Sequence, residues 1–150
     1  MQLYLLRHGD AVEGYPDRDR QLSTYGREQV RCVARGHRVE SKAIEQVVSS
    51  PYKRAMQTTQ IFTRAAKLQH TVDWLDDLTP QGNLRAIEEF LQRTNANTVL
   101  MITHLPLVGL LIDHLTGETG TRMGTANLAS LSMEFPAQGS ALLNWIHYAN

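Results

Sequence analysis

Three short segments of this chain carry the residue types from which a phosphoryl-transfer site is built: Arg7-His8-Gly9, Ser49-Ser50-Pro51-Tyr52-Lys53-Arg54 and His104-Leu105-Pro106. Brought together, Arg7, His8, Arg54 and His104 would make a site for a compact, multiply charged anion. Phosphate is the obvious candidate, because guanidinium forks match its oxygens in bidentate fashion. A neutral imidazole nitrogen can attack phosphorus in line and give a phosphohistidine that water later cleaves, dividing one hard transfer into two easier ones. His8 is the candidate nucleophile, and the arginines would stabilise the charge spread over the equatorial oxygens. Gly9 lets the backbone turn away directly after the histidine.

For these segments to meet, each must sit at the end of a strand. Short β-rich runs alternate with helical stretches along the chain, a pattern that predicts an α/β architecture with a mostly parallel sheet. Leu3-Tyr4-Leu5-Leu6 reads as a buried strand leading into Arg7-His8. A loop rich in Gly, Pro and Asp runs from Gly9 to about Arg20, and Ser23 caps a helix to about Gly36 with Val30, Val33 and Ala34 inward. Ile44 to Val48 is a second strand. Ser50 as N-cap and Pro51 as first helical residue then start a helix that continues through Ile61 and Phe62. Val72 to Leu75 is a short strand, and Asn83 opens a helix with Leu84, Ile87, Phe90 and Leu91 on its inner face. Thr98 to Thr103 is the clearest buried strand, and a helix from Pro106 to near Gly117 follows His104-Leu105. Leu131, Met133 and Phe135 alternate with polar neighbours and Ala141 to Tyr148 is strand-like, which predicts an antiparallel edge pair. Ligands of open α/β sheets bind beyond the carboxyl ends of the strands, where all three segments fall. Pro51 and Pro106 mark helix N-termini, whose free N–H groups and dipole favour an anion. Arg54, in the first turn of its helix, can reach back over that end.

Composition narrows the field. A length of 150 residues fits one domain, 1–150, and its 42% hydrophobic content is that of an ordinary globular protein. The 15 basic and 15 acidic residues cancel, so nothing in the net charge favours nucleic acid or an anionic membrane surface. Anion binding must therefore come from a local cluster. The single cysteine, Cys32, can form no internal disulfide and suits a reducing compartment. The N-terminal residues lack the layout of a signal peptide, and the apolar stretch Leu105 to Ile112 is too short to span a bilayer. The expectation is a soluble, cytoplasmic protein.

The loaded segments also form an ordered set. Leu6-Arg7-His8-Gly9-Asp10-Ala11 is followed by Leu22-Ser23 with Gly26, then by Ser50-Pro51 with Arg54-Ala55 and Gln57-Thr58. Leu78-Thr79-Pro80 with Gly82 and the run Thr103-His104-Leu105-Pro106-Leu107-Val108-Gly109 complete it. This set, spanning nearly the whole chain, resembles the histidine phosphatase superfamily and looks most like its compact SixA-type phosphohistidine phosphatases. The resemblance implies a phosphoglycerate mutase-like fold, a three-layer α/β sandwich with a central mostly parallel sheet and helices on both faces, and no cofactor. It implies that His8 becomes phosphorylated while Arg7, Arg54 and His104 bind the phosphoryl group. Arg20, placed before the Leu-Ser pair, is a further phosphate contact on the same ground. Larger relatives protonate the leaving oxygen with a carboxylic acid, and Asp77 is the nearest candidate by position. A phosphorylated imidazole has a labile P–N bond and needs little such help.

The chain has little room for the helical cap of the larger relatives, so its site should be shallow and open. That suits a phosphohistidine on another protein better than a small metabolite needing enclosure. The implied activity is metal-independent removal of phosphoryl groups from a histidine-phosphorylated protein, a phosphorelay HPt domain or a phosphocarrier, by a monomer. A phosphatase for small phosphoesters or for phosphoserine and phosphothreonine is the alternative enzyme, and would need an acid such as Asp77. A non-catalytic module for phosphorylated partners is the alternative outside enzymes, but it would be expected to have lost one of the four core residues. A mutase would have to hold a bisphosphate while it reorients.

Plainer roles suit the remaining chemistry-bearing residues. Arg7-His8 alone would read as the polar end of a buried strand, Arg54 as a solvated helix residue like Lys53 and Arg64, and His104 as a satisfied core histidine. His37, His70, His114 and His147 lack matching partners and read as surface or packing residues. No His/Cys/Asp spacing suggests a metal site. Ser23 reads as a helix cap, since no nucleophile elbow surrounds it. Asp10 is a candidate to orient His8 but reads better as a loop carboxylate, and Asp17 and Asp19 with Arg18 and Arg20 read as a solvated mixed-charge run. Cys32 reads as a small core residue on an apolar helix face. Thr125 to Ser130 resembles a loop that lies near the pocket in this branch.

Overall fold

The computed structural model describes residues 1–149. In β1 (Gln2–Arg7), Leu3 and Leu5 face one side of the sheet and Tyr4 and Leu6 the other, and all four are buried. β4 (Thr98–Thr103) repeats this with Val99 and Met101 against Leu100 and Ile102. Strands apolar on both faces belong in the middle of a sheet that is covered on both sides. The other strands are β2 (Gln46–Ser49), β3 (Val72–Trp74), β5 (Leu128–Ser132) and β6 (Leu142–His147), and the sheet order is β3-β2-β4-β1-β5-β6. β3, β2, β4 and β1 are parallel; β5 lies antiparallel to both β1 and β6.

Helices cover both faces. α1 (Thr24–Gly36) and α3 (Lys53–Ala65) close one side through Val30, Val33, Ala34, Ala55 and Phe62. α4 (Leu84–Arg93) and α5 (Leu107–Thr116) close the other through Ile87, Leu91, Val108 and Leu111. A short helix, α2 (Arg38–Ser41), leads into β2. The architecture is thus a three-layer α/β sandwich without a large insertion. Among the described residues, no helix is long and apolar enough to cross a membrane.

Local signals set most boundaries. Ser23 Oγ accepts from Gly26 N at the start of α1, and Asn83 Oδ1 accepts from Ala86 N at the start of α4. Gly117 ends α5 in the left-handed region, φ 79°. Three expectations need correction. α3 begins later than the Ser50-Pro51 pair predicts: its N-cap is Tyr52, with no side-chain capping bond, and Pro51 lies in the turn before it. Ser50 Oγ accepts from Tyr52 N at 3.2 Å in that turn and also enters the site described below. Cys32 is exposed rather than in the core, its thiol 3.6 Å from Glu28 Oε1. It stands two positions, about 200° of helix rotation, from inward-facing Val30. Phe135 is exposed beyond the end of β5.

Candidate active site

Main-chain bonds lace the ends of the central strands together. His8 N donates to Thr103 O (3.1 Å), Ser50 N to Ile102 O (3.0 Å), and Ala126 N to the carbonyls of Arg7 and His8 (3.0 Å each). This brings Arg7, His8, Arg54 and His104 to one place at the carboxyl end of the sheet. The segment Thr125 to Ser130 contributes through Ala126 and through Asn127 O, which accepts from Arg7 N at 3.1 Å.

His8 is buried, and its Nδ1 lies 2.7 Å from Gly9 O. A carbonyl only accepts, so Nδ1 carries the proton and Nε2 keeps its lone pair. Arg54 Nε–H donates to that Nε2 at 3.2 Å. Burial chiefly, aided by the charges of Arg54, Arg7 and Arg20 and opposed by the Gly9 hydrogen bond, pushes the His8 pKa down to about 4. His104 lies with its ring centroid 5.0 Å from that of His8. Burial first, then positive charge at His8, Arg54 and Arg7, takes its pKa down to about 2. Both imidazoles are therefore neutral around pH 7. A ring-carbon NMR titration should show His8 protonating near pH 4; a midpoint near 6.5 would contradict the burial argument. The sign for stability follows. Between pH 6.5 and 4 the unfolded chain takes up a proton that native His8 refuses, so this residue makes the protein less stable as pH falls through that window.

Two buried nitrogens of the cluster, Arg7 Nε and His104 Nδ1, have no hydrogen-bond partner. The other ends of the two side chains are held: Arg7 Nη1 donates to Met123 O at 3.0 Å, and His104 Nε2 pairs with Ser50 Oγ at 2.7 Å. An anion with several acceptor oxygens is the group that suits such a set.

Arg54 also donates from Nη1 to Asp17 O (2.7 Å) and from Nη2 to Asp17 Oδ2 (3.1 Å). Asp17 Oδ1 accepts from Arg20 Nη1 at 3.0 Å, and Arg20 Nε donates to Val12 O at 2.8 Å. The Arg20 hydrogen bond chiefly, with Arg54 beside it and partial burial opposing, holds the Asp17 carboxyl below the usual carboxylate range. Asp17 is solvent-exposed, as a mixed-charge loop predicts, yet it also contacts the site through Arg54, and Arg20 reaches the cluster through it. Ser50 and Asp17 are the participants that residue patterns alone miss. Each earns its place through a contact to a residue far along the chain, His104 and Arg54 respectively.

Asp77 makes no direct bond to the four core residues. The 3₁₀ turn Asp76–Leu78 buries Leu78 and leaves Asp77 lining a groove beside α4 with Gln46, Ala86, Glu89 and Arg93. Its side chain makes no hydrogen bond with the cluster. Asp10 ties the loop to α1: its Oδ2 accepts from Ser23 Oγ (2.6 Å), and its N donates to Gln29 Oε1 (2.9 Å). Outside the site, His37 pairs with His147 (2.5 Å) and stacks on Trp145, while His114 pairs with Glu88.

The turn after His8 depends on close backbone approach. A Cβ on Gly9 would lie 2.6 Å from Gly26 O, and one on Gly26 would lie 2.0 Å from Asp10 O. Gly26→Ala should cost about 2–3 kcal/mol of stability through overpacking, read as a lower urea midpoint. An unchanged midpoint would show that the loop gives way freely.

A three-layer sandwich with histidines and arginines gathered at its strand ends defines an anion-handling α/β enzyme with a histidine at its centre. The chain belongs to the histidine phosphatase superfamily (branch 1), which residues 3–78 match, and its fold is phosphoglycerate mutase-like. It is 35% identical to the phosphohistidine phosphatase SixA of Escherichia coli (strain K12) over 150 residues, covering 97% of this chain and 92% of that protein. It is 27% identical to a SixA homolog of Haemophilus influenzae over 79% of each chain. Among solved structures, the protein histidine phosphatase SixA complexed with tungstate superposes with a TM-score of 0.91 at 33% identity, covering 99% of this chain and 97% of that one.

Proposed function

We propose that this protein is a phosphohistidine phosphatase that hydrolyses phosphohistidine on another protein through a covalent intermediate on His8. The observation that carries the mechanism is the His8 Nε2 lone pair, kept unprotonated by burial and aimed at Arg54 Nε. The substrate class is supported by the similarity to SixA along nearly the full length of both chains.

In the first step His8 Nε2 bonds to phosphorus as the P–N bond of the substrate breaks, and the leaving imidazole nitrogen takes up a proton. Arg7, Arg54 and His104 hold the phosphoryl oxygens, with Arg20 at the edge. As the phosphoryl group enters, Arg54 exchanges its bonds to His8 and Asp17 for phosphoryl oxygens. In the second step water attacks phosphorus, inorganic phosphate leaves and the His8 lone pair is restored. Asp77 makes no hydrogen bond with the cluster, and the labile P–N bond lets the leaving group's proton come from solvent. The protein works as a cytoplasmic monomer, with residues 1–150 as one domain, on an HPt domain or a phosphocarrier.

The test is phosphate release, with EDTA present, from a phosphohistidine-bearing phosphotransfer domain, a phosphoserine peptide and a simple aryl phosphate. Preference for phosphohistidine by at least tenfold in kcat/KM is the expected result. Preference for either ester would move the protein to the phosphoester branch of its family and overturn the substrate assignment.

A further inference from the structure

The outer surface between α1 and α3 forms a groove of about 360 Å³ lined by Arg27, Arg31, Arg35, Arg38 and Arg64. These are five of the chain's twelve arginines, in a sequence whose net charge is zero. Ile61 and Ala65 supply apolar lining between them. Arg27, Arg31 and Arg35 recur at four-residue spacing on one face of α1, a row of about 12 Å. Arg38 Nε donates to Ala65 O (3.0 Å) and ties the far end of the row to α3.

Internal carboxylates do not neutralise this surface. Among the described residues Glu28 alone pairs there, with Arg31 at 3.4 Å and Arg35 at 3.8 Å, and α3 contains no acidic residue. Both walls also lead to the site, because Arg54 lies in the first turn of α3 and Ser23, the cap of α1, grips Asp10.

From this we propose that the groove is a docking exosite for an acidic helical face of the phosphoprotein substrate. The inference rests on the phosphohistidine reading above and names how that substrate is selected. Carboxylates four residues apart on a helix repeat at about 6 Å, the spacing of the arginine row. Guanidinium forks engage carboxylates two oxygens at a time, and aliphatic side chains of the incoming helix meet Ile61 and Ala65. A duplex nucleic acid would call for a longer basic track and a positive net charge, which this chain lacks. Complementary charge of this kind acts mainly on encounter and on KM, and weakens with salt.

The experiment uses the full chain and the triple variant Arg31→Ala/Arg35→Ala/Arg64→Ala, with the Arg→Lys triple as a control that keeps charge. The probes are a fluorescent 20-residue helical peptide with Glu at every fourth position and a 20-base-pair duplex DNA, followed by fluorescence anisotropy at low salt. The same variants are assayed on the phosphohistidine phosphotransfer domain and on an aryl phosphate. The Ala triple should bind the peptide about tenfold more weakly than wild type and show about a tenfold higher KM for the phosphoprotein. Its kcat, and both constants for the aryl phosphate, should be unchanged. The Lys triple should recover part of the loss. Equal peptide binding by wild type and the Ala triple, or DNA bound more tightly than peptide, overturns the exosite. Weaker peptide binding with an unchanged phosphoprotein KM overturns its role in substrate selection. Peptide binding that is lost in the Ala triple, together with no phosphohistidine turnover even by wild type, supports the acidic-partner groove and overturns the activity assignment instead.

Discussion

Replacing His8 by alanine is expected to lower phosphohistidine turnover by roughly 10⁴-fold or more, the scale of removing a covalent nucleophile while leaving the rest of a site intact. The side chain supplies the one lone pair in the cluster with an arginine hydrogen bond pointing at it. Its ring otherwise meets Gly9 O and the His104 ring, both within the site, so the loss should not propagate into the packing of β1. Rapid quenching of wild type with ³²P-labelled substrate should trap an acid-labile, base-stable phosphoprotein that His8→Ala cannot form. A circular dichroism spectrum and urea midpoint close to wild type would confine the effect to chemistry. Retention of a labelled intermediate by His8→Ala would transfer the nucleophile role to another residue, with His104 first in line.

The second large effect is expected at Arg54. It is buried, it donates to His8 Nε2, and its two terminal nitrogens hold Asp17. Arg54→Ala should cost 10²–10³-fold in kcat/KM, about the scale of removing one preorganised donor from a site of developing negative charge. Arg54→Lys should recover little, since an ammonium cannot reproduce the fork that spans His8 and Asp17. A purely structural role would not predict the accompanying signature. Because the Arg54 charge helps keep His8 neutral, the His8 NMR midpoint should rise from about 4 toward 6.5 in Arg54→Ala. Lost activity with an unmoved midpoint would mean that Arg54 does not set the protonation of His8.

Much of this was legible before any coordinates. Arg7, His8, Arg54 and His104 stand beside buried apolar runs or a helix start, and those features declare themselves locally. The N-caps Ser23 and Asn83, and the inward faces of α1 and α4, follow from side-chain capping and helical periodicity. Most of the surprises share a cause: long-range contacts that local pattern cannot see. Ser50 looks like a turn or cap residue alone, and only the fold shows that its hydroxyl also pairs with a histidine 54 residues away. Asp17 looks like one charge among several until Arg54, 37 residues on, reaches it. Asp77 was named by chain position, and the structure shows it lining a groove beside α4 without a hydrogen bond to the cluster. Cys32 failed for a narrower reason, an error of helical phase that put it on the face of Val30, about 200° away.

The position of β1 carries a consequence for how the protein breathes. Every residue from Gln2 to Leu6 is paired in register with β4 on one side and β5 on the other, so this ribbon has no free edge from which to fray. Its amides should exchange with deuterium only when the sheet itself comes apart, among the slowest in the molecule. The exposed stretch from Glu13 to Asp19, which carries Asp17, should exchange early. The nucleophile thus hangs from the part that opens last, while Asp17, the counter-ion of Arg54, rides on a part that opens easily. Partial unfolding of the loop can loosen the grip on Arg54 without displacing His8.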